Sequence, residues 1–161
     1  MKKSKIAILG LGKLGTAVGF LLKQAGYVIE AVASRSESSL SRGLPYTGGT
    51  ACKSFSEAAA LAECVFITTS DDIILPVCRE IAEQGAAGTG KIIVHMSGAA
   101  GLDVLAPAKE RGADVAAIHP IQSFADIEGA IRNMRGSTFG ITCAGHLRPW
   151  CGAVAVDLGG R

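Results

Sequence analysis

Three glycines near the start of the chain have the spacing of a turn that binds phosphate. Gly10, Gly12 and Gly15 form the pattern G-x-G-x-x-G between an apolar run at 6–9 and a segment with apolar residues at helical spacing. The first glycine permits a tight turn, the second lets a pyrophosphate approach the backbone, and the third lets the helix pack on the strand. The turn is therefore predicted to hold a dinucleotide at a helix N-terminus, the alternative being a glycine-rich connection that binds nothing. The predicted contacts are Gly10, Leu11, Gly12, Lys13, Leu14 and Gly15.

The end of the second predicted strand, about 20 residues after the glycine turn, indicates which dinucleotide binds. An Asp or Glu at that place accepts hydrogen bonds from the ribose of NAD, whereas this chain has Ser34, Arg35 and Ser36. A guanidinium and two hydroxyls bind a 2′-phosphate through charge-assisted hydrogen bonds, and an acid would repel it. The predicted cofactor is therefore NADP. The alternatives are that Arg35 is a solvent-facing arginine and that Lys13 is only a solvated residue at the helix start.

Polar residues follow three further predicted strands, where ligands of doubly wound sheets bind. They are Ser70, Asp71 and Asp72 after the strand at 64–68, Ser97 after 91–95, and His119, Gln122 and Ser123 after 115–119. His119 is the best candidate for a general acid or base, because imidazole exchanges a proton near neutral pH.

Several of these residues also have a structural interpretation. Asp71 or Asp72 is predicted to cap the following helix. Ser97 is interpreted equally well as a residue that closes a turn and as a functional residue. His119 and, more strongly, His95 are also interpreted as histidines with structural hydrogen bonds. Both interpretations stay open at His119 and Ser97.

The composition is that of one globular unit with a substantial core. The 161 residues are 48% hydrophobic and 19% charged, with 21 glycines, as is typical of apolar strands packed by small-residue helices. A net charge of +2 is too small to indicate the basic surface that nucleic-acid-binding proteins have. The five scattered cysteines are interpreted as reduced residues of a cytosolic protein, and the three histidines lack metal-ligand spacing. No run of about 18 apolar residues is present to span a bilayer.

Apolar runs alternate with segments of helical periodicity along most of the chain. Strands are predicted at 6–9, 27–34, 64–68, 91–95, 115–119 and 138–143, and helices at 72–84 and 102–111. Ser54 and Glu57 form a capping box that opens one more helix, and Pro149 stands near the start of a terminal helix. The segment 36–41 is a polar stretch, and the pattern loosens beyond Pro120. The alternation predicts an α/β fold with a doubly wound, mostly parallel Rossmann sheet in a single domain.

Five stretches together resemble a family of bacterial Rossmann-like oxidoreductases. They are Ile6–Gly15, Ala33–Ser36, Thr68–Asp72, Val94–Ala99 and His119–Phe124. That family is related to pyrroline-5-carboxylate reductase and to deazaflavin-dependent NADP oxidoreductases, and more distantly to 6-phosphogluconate and hydroxyisobutyrate dehydrogenases. The resemblance implies transfer of hydride between NADP(H) and a small carbonyl or imine substrate. The alternatives are a non-catalytic NADP-binding or sensing module and a Rossmann-like scaffold without a nucleotide.

The resemblance also implies roles for residues at the strand ends. The loop with Thr69 and Ser70 is expected to pass close to the nicotinamide ribose, and Ser97 is expected to face the nicotinamide or the substrate. Members of the family continue into an all-helical domain that supplies dimer contacts and part of the substrate pocket. That domain is expected to be absent from residues 1–161, which are assigned to the dinucleotide-binding domain alone, and a homodimer is expected only if the second domain exists.

Overall fold

A seven-stranded sheet with helices on both faces forms the protein. The structure is a computed structural model that describes residues 3–161. The strands are β1 (Lys5–Leu9), β2 (Val28–Ala33), β3 (Thr50–Ala51), β4 (Cys64–Ile67), β5 (Ile92–His95), β6 (Asp114–Pro120) and β7 (Phe139–Cys143). The α-helices are α1 (Lys13–Gln24), α2 (Glu37–Thr47), α3 (Phe55–Ala60), α4 (Asp71–Glu83), α5 (Ala106–Glu110), α6 (Ile127–Met134) and α7 (Arg148–Asp157).

The strand order is β3-β2-β1-β4-β5-β6-β7, and β1 pairs in parallel with both β2 and β4. Strands β1 to β6 are parallel, and β7 runs antiparallel to β6. The predicted doubly wound, mostly parallel sheet is thus confirmed. This order brings the carboxyl ends of β1, β2 and β4 side by side, where α1, α2 and α4 begin.

The side chains of β1 alternate between two hydrophobic cores, because successive residues of a strand point to opposite faces. Ile6 and Ile8 belong to the core beneath α1, α6 and α7. Ala7 and Leu9 belong to the core beneath α3, α4 and α5. All four are fully buried, which explains why the strand is a continuous apolar run.

Two helices were absent from the sequence-based prediction. The polar stretch at 36–41 is the start of α2, with Ser36 as its N-cap, and the loosened segment beyond Pro120 contains α6. The predicted helix at 102–111 is divided into a 3-10 turn at 102–105 and α5. These differences add helices between the predicted strands and leave the sheet as expected.

The short helix α3 is fastened to the sheet at its C-terminal end. The Lys91 ammonium, one residue before β5, donates hydrogen bonds of 2.6 and 2.7 Å to the carbonyl oxygens of Ala59 and Ala62. A cation at this end of a helix is favourable because the terminal carbonyls carry partial negative charge. Burial lowers the pKa of Lys91 from its usual value.

Three of the five cysteines, Cys64, Cys78 and Cys151, are buried in the two cores, as small apolar residues often are. Cys52 and Cys143 are half-buried. Within residues 3–161, none of the helices is both long enough and apolar enough to cross a membrane.

Candidate functional site

A groove of about 230 Å³ opens where the ends of β1, β2 and β4 meet. It is lined by Gly10, Leu11, Gly12, Ser34, Arg35, Ser36, Phe55, Thr68, Thr69, Ser70 and Ile73. Eight of these eleven residues belong to the set predicted from the sequence. The sheet order therefore brings the glycine turn, the Ser-Arg-Ser stretch and the loop after β4 into one place.

The three glycines of the turn have three different environments. Gly10 adopts a φ of +106°, which side chains rarely tolerate, and a Cβ there would lie 3.0 Å from the carbonyl of Thr68. A Cβ on Gly15 would overlap the carbonyl oxygen of Gly10, because α1 packs directly on the turn. A Cβ on Gly12 would meet no atom within 4 Å. Gly12 therefore leaves open space in front of the helix, and the other two glycines are required by packing and backbone conformation.

The N-terminus of α1 carries no negative charge of its own. Its N-cap is Gly12, no side chain caps the first turn, and no acidic residue lies in that turn. The leucines of the turn pack inward, with Leu11 only 1% exposed and Leu14 half-buried against the first core. The surface of the turn is therefore mostly backbone, which favours an anion at the helix N-terminus.

Lys13 is exposed and does not line this groove. It borders a neighbouring cleft of about 620 Å³ together with Arg42, Asp126 and Glu128. Its placement agrees with the interpretation of a solvated residue at the helix start.

The loop after β4 holds the turn and contains a buried hydroxyl without a hydrogen-bond partner among the described residues. The Thr68 hydroxyl donates to the carbonyl oxygen of Gly10 at 2.8 Å, which ties the two loops together. The Thr69 hydroxyl is buried yet has no hydrogen-bond partner within residues 3–161. A buried polar atom without a partner is costly, so Thr69 fits a ligand that hydrogen-bonds to it in the groove.

Ser34, Arg35 and Ser36 follow β2 and form one side of the groove. The Arg35 guanidinium lies 5.9 Å from the centre of the Phe55 ring, a cation–π distance that favours an ordered position for it. No carboxylate of the described chain lies within ion-pair distance of Arg35. Ser36 accepts the Ser39 amide as the N-cap of α2, so its hydroxyl has a structural bond as well.

A second depression, of about 250 Å³, continues the groove past Arg35. It shares Ser34, Arg35 and Phe55 with the groove and adds Lys53 and Glu80. Lys53 was not among the predicted site residues. It stands between β3 and α3, far from Arg35 in sequence, and no local motif marks it.

His95 organises the loop that follows β5. Its Nδ1 accepts the Ser97 amide at 3.1 Å, so that Nε2 carries the proton and donates to the carbonyl oxygen of Gly101 at 2.9 Å. The residue is fully buried, and burial lowers the pKa of His95 from its usual value. His95 is thus a structural residue, as the sequence indicated.

Ser97 and His119 lie at the ends of the neighbouring strands β5 and β6, outside the groove of the glycine turn. The Ser97 hydroxyl accepts the Ala99 amide at 3.1 Å and so closes a turn. The half-buried His119 ring lies against Gly98, where a Cβ would overlap it. Unlike His95 and His146, the His119 ring makes no hydrogen bond with another described residue. Its imidazole nitrogens are therefore not used in hydrogen bonds within the described residues.

The two acidic residues after β4 do not cap α4 by side-chain bonds, so that prediction is wrong. The N-cap is Ser70, and Asp71 and Asp72 occupy the first turn of the helix. The helix starts one residue earlier than predicted, which places both carboxylates inside it. The capping box of α3 is only half formed, because Ser54 accepts the Glu57 amide while the Glu57 carboxylate accepts an amide one residue before the cap.

The remaining polar candidates, Gln122 and Ser123, are exposed in the loop after β6 and bond to each other. No group of three or more metal-ligating side chains occurs in the part of the chain that the structure describes.

The sheet order and the glycine turn are typical of the nucleotide-binding α/β folds. The chain belongs to the Rossmann-like domain family, whose family model matches residues 1–120. This confirms the resemblance to Rossmann-like proteins at the level of the family. None of the curated proteins matches the chain.

Several solved structures share the fold. Prephenate dehydrogenase from Aquifex aeolicus, in complex with hydroxyphenyl propionate and NAD+, has a TM-score of 0.81 at 13% identity, covering 100% of this chain and 59% of that one. Arogenate dehydrogenase from Synechocystis has a TM-score of 0.79 at 19% identity, covering 98% and 58%. A variant imine reductase from Myxococcus stipitatus, in complex with NAD+, has a TM-score of 0.76 at 17% identity, covering 98% and 53%. The chain thus spans little more than half the length of these proteins, and at these identities the likeness concerns the fold.

Proposed function

We propose that this chain is the NADP-binding domain of an oxidoreductase that transfers hydride between NADP(H) and a small carbonyl or imine substrate. The observation that carries the proposal is the open space at Gly12, in front of a helix N-terminus without an acidic residue or a side-chain cap. Dinucleotide pyrophosphate is the anion that this turn suits, because the backbone can approach it closely. The unpaired Thr69 hydroxyl in the same groove supports a bound ligand.

The choice of NADP over NAD rests on this chain's own residues. Two of the structures described above hold NAD+, so the fold alone does not select the cofactor. Arg35 follows β2 without a carboxylate partner in residues 3–161, and Ser34 and Ser36 flank it. A 2′-phosphate would complete the hydrogen bonding of the guanidinium.

The remaining roles follow from position along the same edge of the sheet. Bound NADPH supplies the hydride, and the protein binds and orients it. Thr69 and Ser70 line the groove beside the turn and are proposed to contact the cofactor. Ser97 and His119 lie at the next strand ends, and we assign them to the reacting end of the site. His119, with its uncommitted ring, would deliver a proton to the carbonyl oxygen or imine nitrogen of the substrate.

Titration of NADP+ and NAD+ into the wild-type chain and Arg35→Ala tests the cofactor assignment. Wild type should bind NADP+ more tightly. Arg35→Ala should weaken NADP+ binding by about 10-fold to 100-fold, since a hydrogen bond to a charged group contributes about 1.5 to 3 kcal/mol. NAD+ binding should change by less than about twofold, because no 2′-phosphate is present. Arg111→Ala, an exposed arginine before β6, is the matched control. Equal affinity of wild type for both cofactors would contradict the assignment.

His119→Asn tests the proposed proton donor. In a protein that joins this domain to a substrate-binding domain, the variant should keep NADPH affinity but lower the rate of NADPH oxidation with a carbonyl or imine substrate by about 100-fold or more, as loss of general acid catalysis does. The measurement is single-turnover oxidation of bound NADPH over a range of pH. An unchanged rate, with chemistry rate-limiting, would make His119 structural. Tight NADPH binding by residues 1–161 without turnover on any substrate would fit a non-catalytic binding module and equally a cofactor domain whose substrate pocket needs a further domain.

A further inference from the structure

We propose that Lys53 is a second specificity residue for NADP and that its ammonium pairs with the 2′-phosphate opposite Arg35. The inference rests on the proposed function and deepens it. Lys53 and Arg35 line the same depression of about 250 Å³. That depression joins the groove of the glycine turn through three shared residues: Ser34, Arg35 and Phe55. A dinucleotide with its pyrophosphate at Gly12 and its adenosine ribose beyond β2 would bring the 2′-phosphate between the two cations.

The backbone of Lys53 is held in place while its side chain is not. Its amide donates to the Glu57 carboxylate at 2.9 Å, and the next residue, Ser54, accepts the Glu57 amide as the N-cap of α3. Its own side chain is exposed and makes no hydrogen bond or ion pair with another residue in 3–161. The backbone that carries the ammonium is therefore fixed, and no carboxylate within residues 3–161 competes with a ligand for the ammonium. In the same depression, the Arg35 guanidinium lies 5.9 Å from the centre of the Phe55 ring.

Without Lys53 the side chains that line the depression would have no net positive charge to attract a phosphate. Glu80 also lines the depression, so Arg35 and Glu80 alone would cancel and give a dianionic phosphate little net attraction. Glu57, whose carboxylate accepts the Lys53 amide, is not among the residues that line the depression. With Lys53 the lining side chains carry one net positive charge, which favours a phosphate monoester of charge about −1.5 to −2 at pH 7. Arg35 supplies directional hydrogen bonds, and Lys53 supplies a point charge.

The test compares ligands that differ only in the 2′-phosphate. Affinities of wild type, Lys53→Ala and Lys53→Arg are measured for NADP+ and NAD+, and for adenosine 2′,5′-bisphosphate and adenosine 5′-monophosphate. Lys109→Ala, an exposed lysine of α5 outside the depression, is the control. Because Lys53 is exposed, its removal should weaken NADP+ and the bisphosphate by about threefold to fivefold. It should leave NAD+ and the monophosphate unchanged, and Lys53→Arg should retain wild-type affinity.

The outcomes separate this inference from the function on which it rests. If wild type binds neither dinucleotide, the proposed function fails. If wild type prefers NADP+ and Lys53→Ala keeps the full preference, the role of Lys53 is overturned while the proposed function stands. Equal weakening of NADP+ and NAD+ by Lys53→Ala would also overturn it, because that result indicates a structural effect. Selective loss of the 2′-phosphorylated ligands, with less salt dependence than in wild type, supports it.

Discussion

The turn after β1 and the turn after β4 lie side by side at the same edge of the sheet, yet they present opposite surfaces. The first leads into α1 through glycines and has no acidic residue in the first helical turn. The second leads into α4 through hydroxyl residues and places Asp71 and Asp72 in that turn. Both helix N-termini carry partial positive charge. In α4 the chain's own carboxylates balance that charge, whereas in α1 it is left for an external anion.

The comparison shows why the phosphate site is expected at only one of two similar turns. A phosphate at α4 would meet two carboxylates. At α1 it meets backbone amides and the open space in front of Gly12. The second turn has a supporting task, since Thr68 holds the carbonyl of Gly10 and Thr69 offers an unpaired hydroxyl. Three variants test this division of roles.

Gly12→Val should have the largest effect on binding. Its side chain would extend into space where no protein atom lies within 4 Å of the Cβ, so the fold is retained and the pyrophosphate is blocked. We expect dinucleotide affinity to fall by about 100-fold or more, a loss of about 2.7 kcal/mol. The free energy of unfolding should change by less than about 0.5 kcal/mol. Calorimetric titration and urea denaturation measure the two quantities, and retained affinity would rule out phosphate binding at this turn.

Gly15→Ala provides the contrasting case within the same turn. The added methyl group would overlap the Gly10 carbonyl oxygen and approach the Thr68 hydroxyl, and the backbone has no room to yield. We expect a loss of about 2 kcal/mol in the free energy of unfolding, within the range for an overpacked site. Urea denaturation beside Gly12→Val measures the difference. Equal stability of the two variants would show that the turn relaxes and that the third glycine is not a packing requirement.

The double substitution of Asp71 and Asp72 by asparagine should have the smallest effect. Removing two exposed carboxylates near the groove should raise NADP+ affinity by about twofold at low ionic strength, and salt should abolish the gain. The helix should lose stability, since each acid in a first turn contributes about 0.3 to 1 kcal/mol. Titrations at two salt concentrations measure the change in affinity. Weaker NADP+ binding would indicate that these carboxylates contact the dinucleotide themselves.

The parts of the site that are contiguous in sequence were predictable from it. The glycine turn and the Ser-Arg-Ser stretch each follow an apolar strand, and their residue types alone indicate their chemistry. The structural role of His95 was also predicted from the sequence, although the bonds that its ring makes became visible only in the structure. The placement of Lys53 in the same depression as Arg35 could not be predicted from the sequence, because it depends on the pairing of β3 with β2.

The missed helices have two different causes. The helix α6 has a clear signal, with Ile127, Ala130, Ile131 and Met134 at helical spacing behind Asp126 as a cap, but it is only eight residues long. The helix α2 is rich in serine and contains Pro45, both of which are typical of loops. It forms because Leu40 and Leu44 pack on the first core. The antiparallel direction of β7 depends on how α6 returns to the sheet, which no residue type specifies.

The bonds from Lys91 to the end of α3 bear on the order in which the molecule folds. A helix of six residues is far below the length of about 12 at which isolated helices become marginally stable in water. Its C-terminal partner lies 32 residues further along the chain from Ala59, so these two bonds form only when the residue before β5 is in place. The helix that begins with Phe55, a residue of the groove, is therefore completed at its other end by a residue from a later part of the chain.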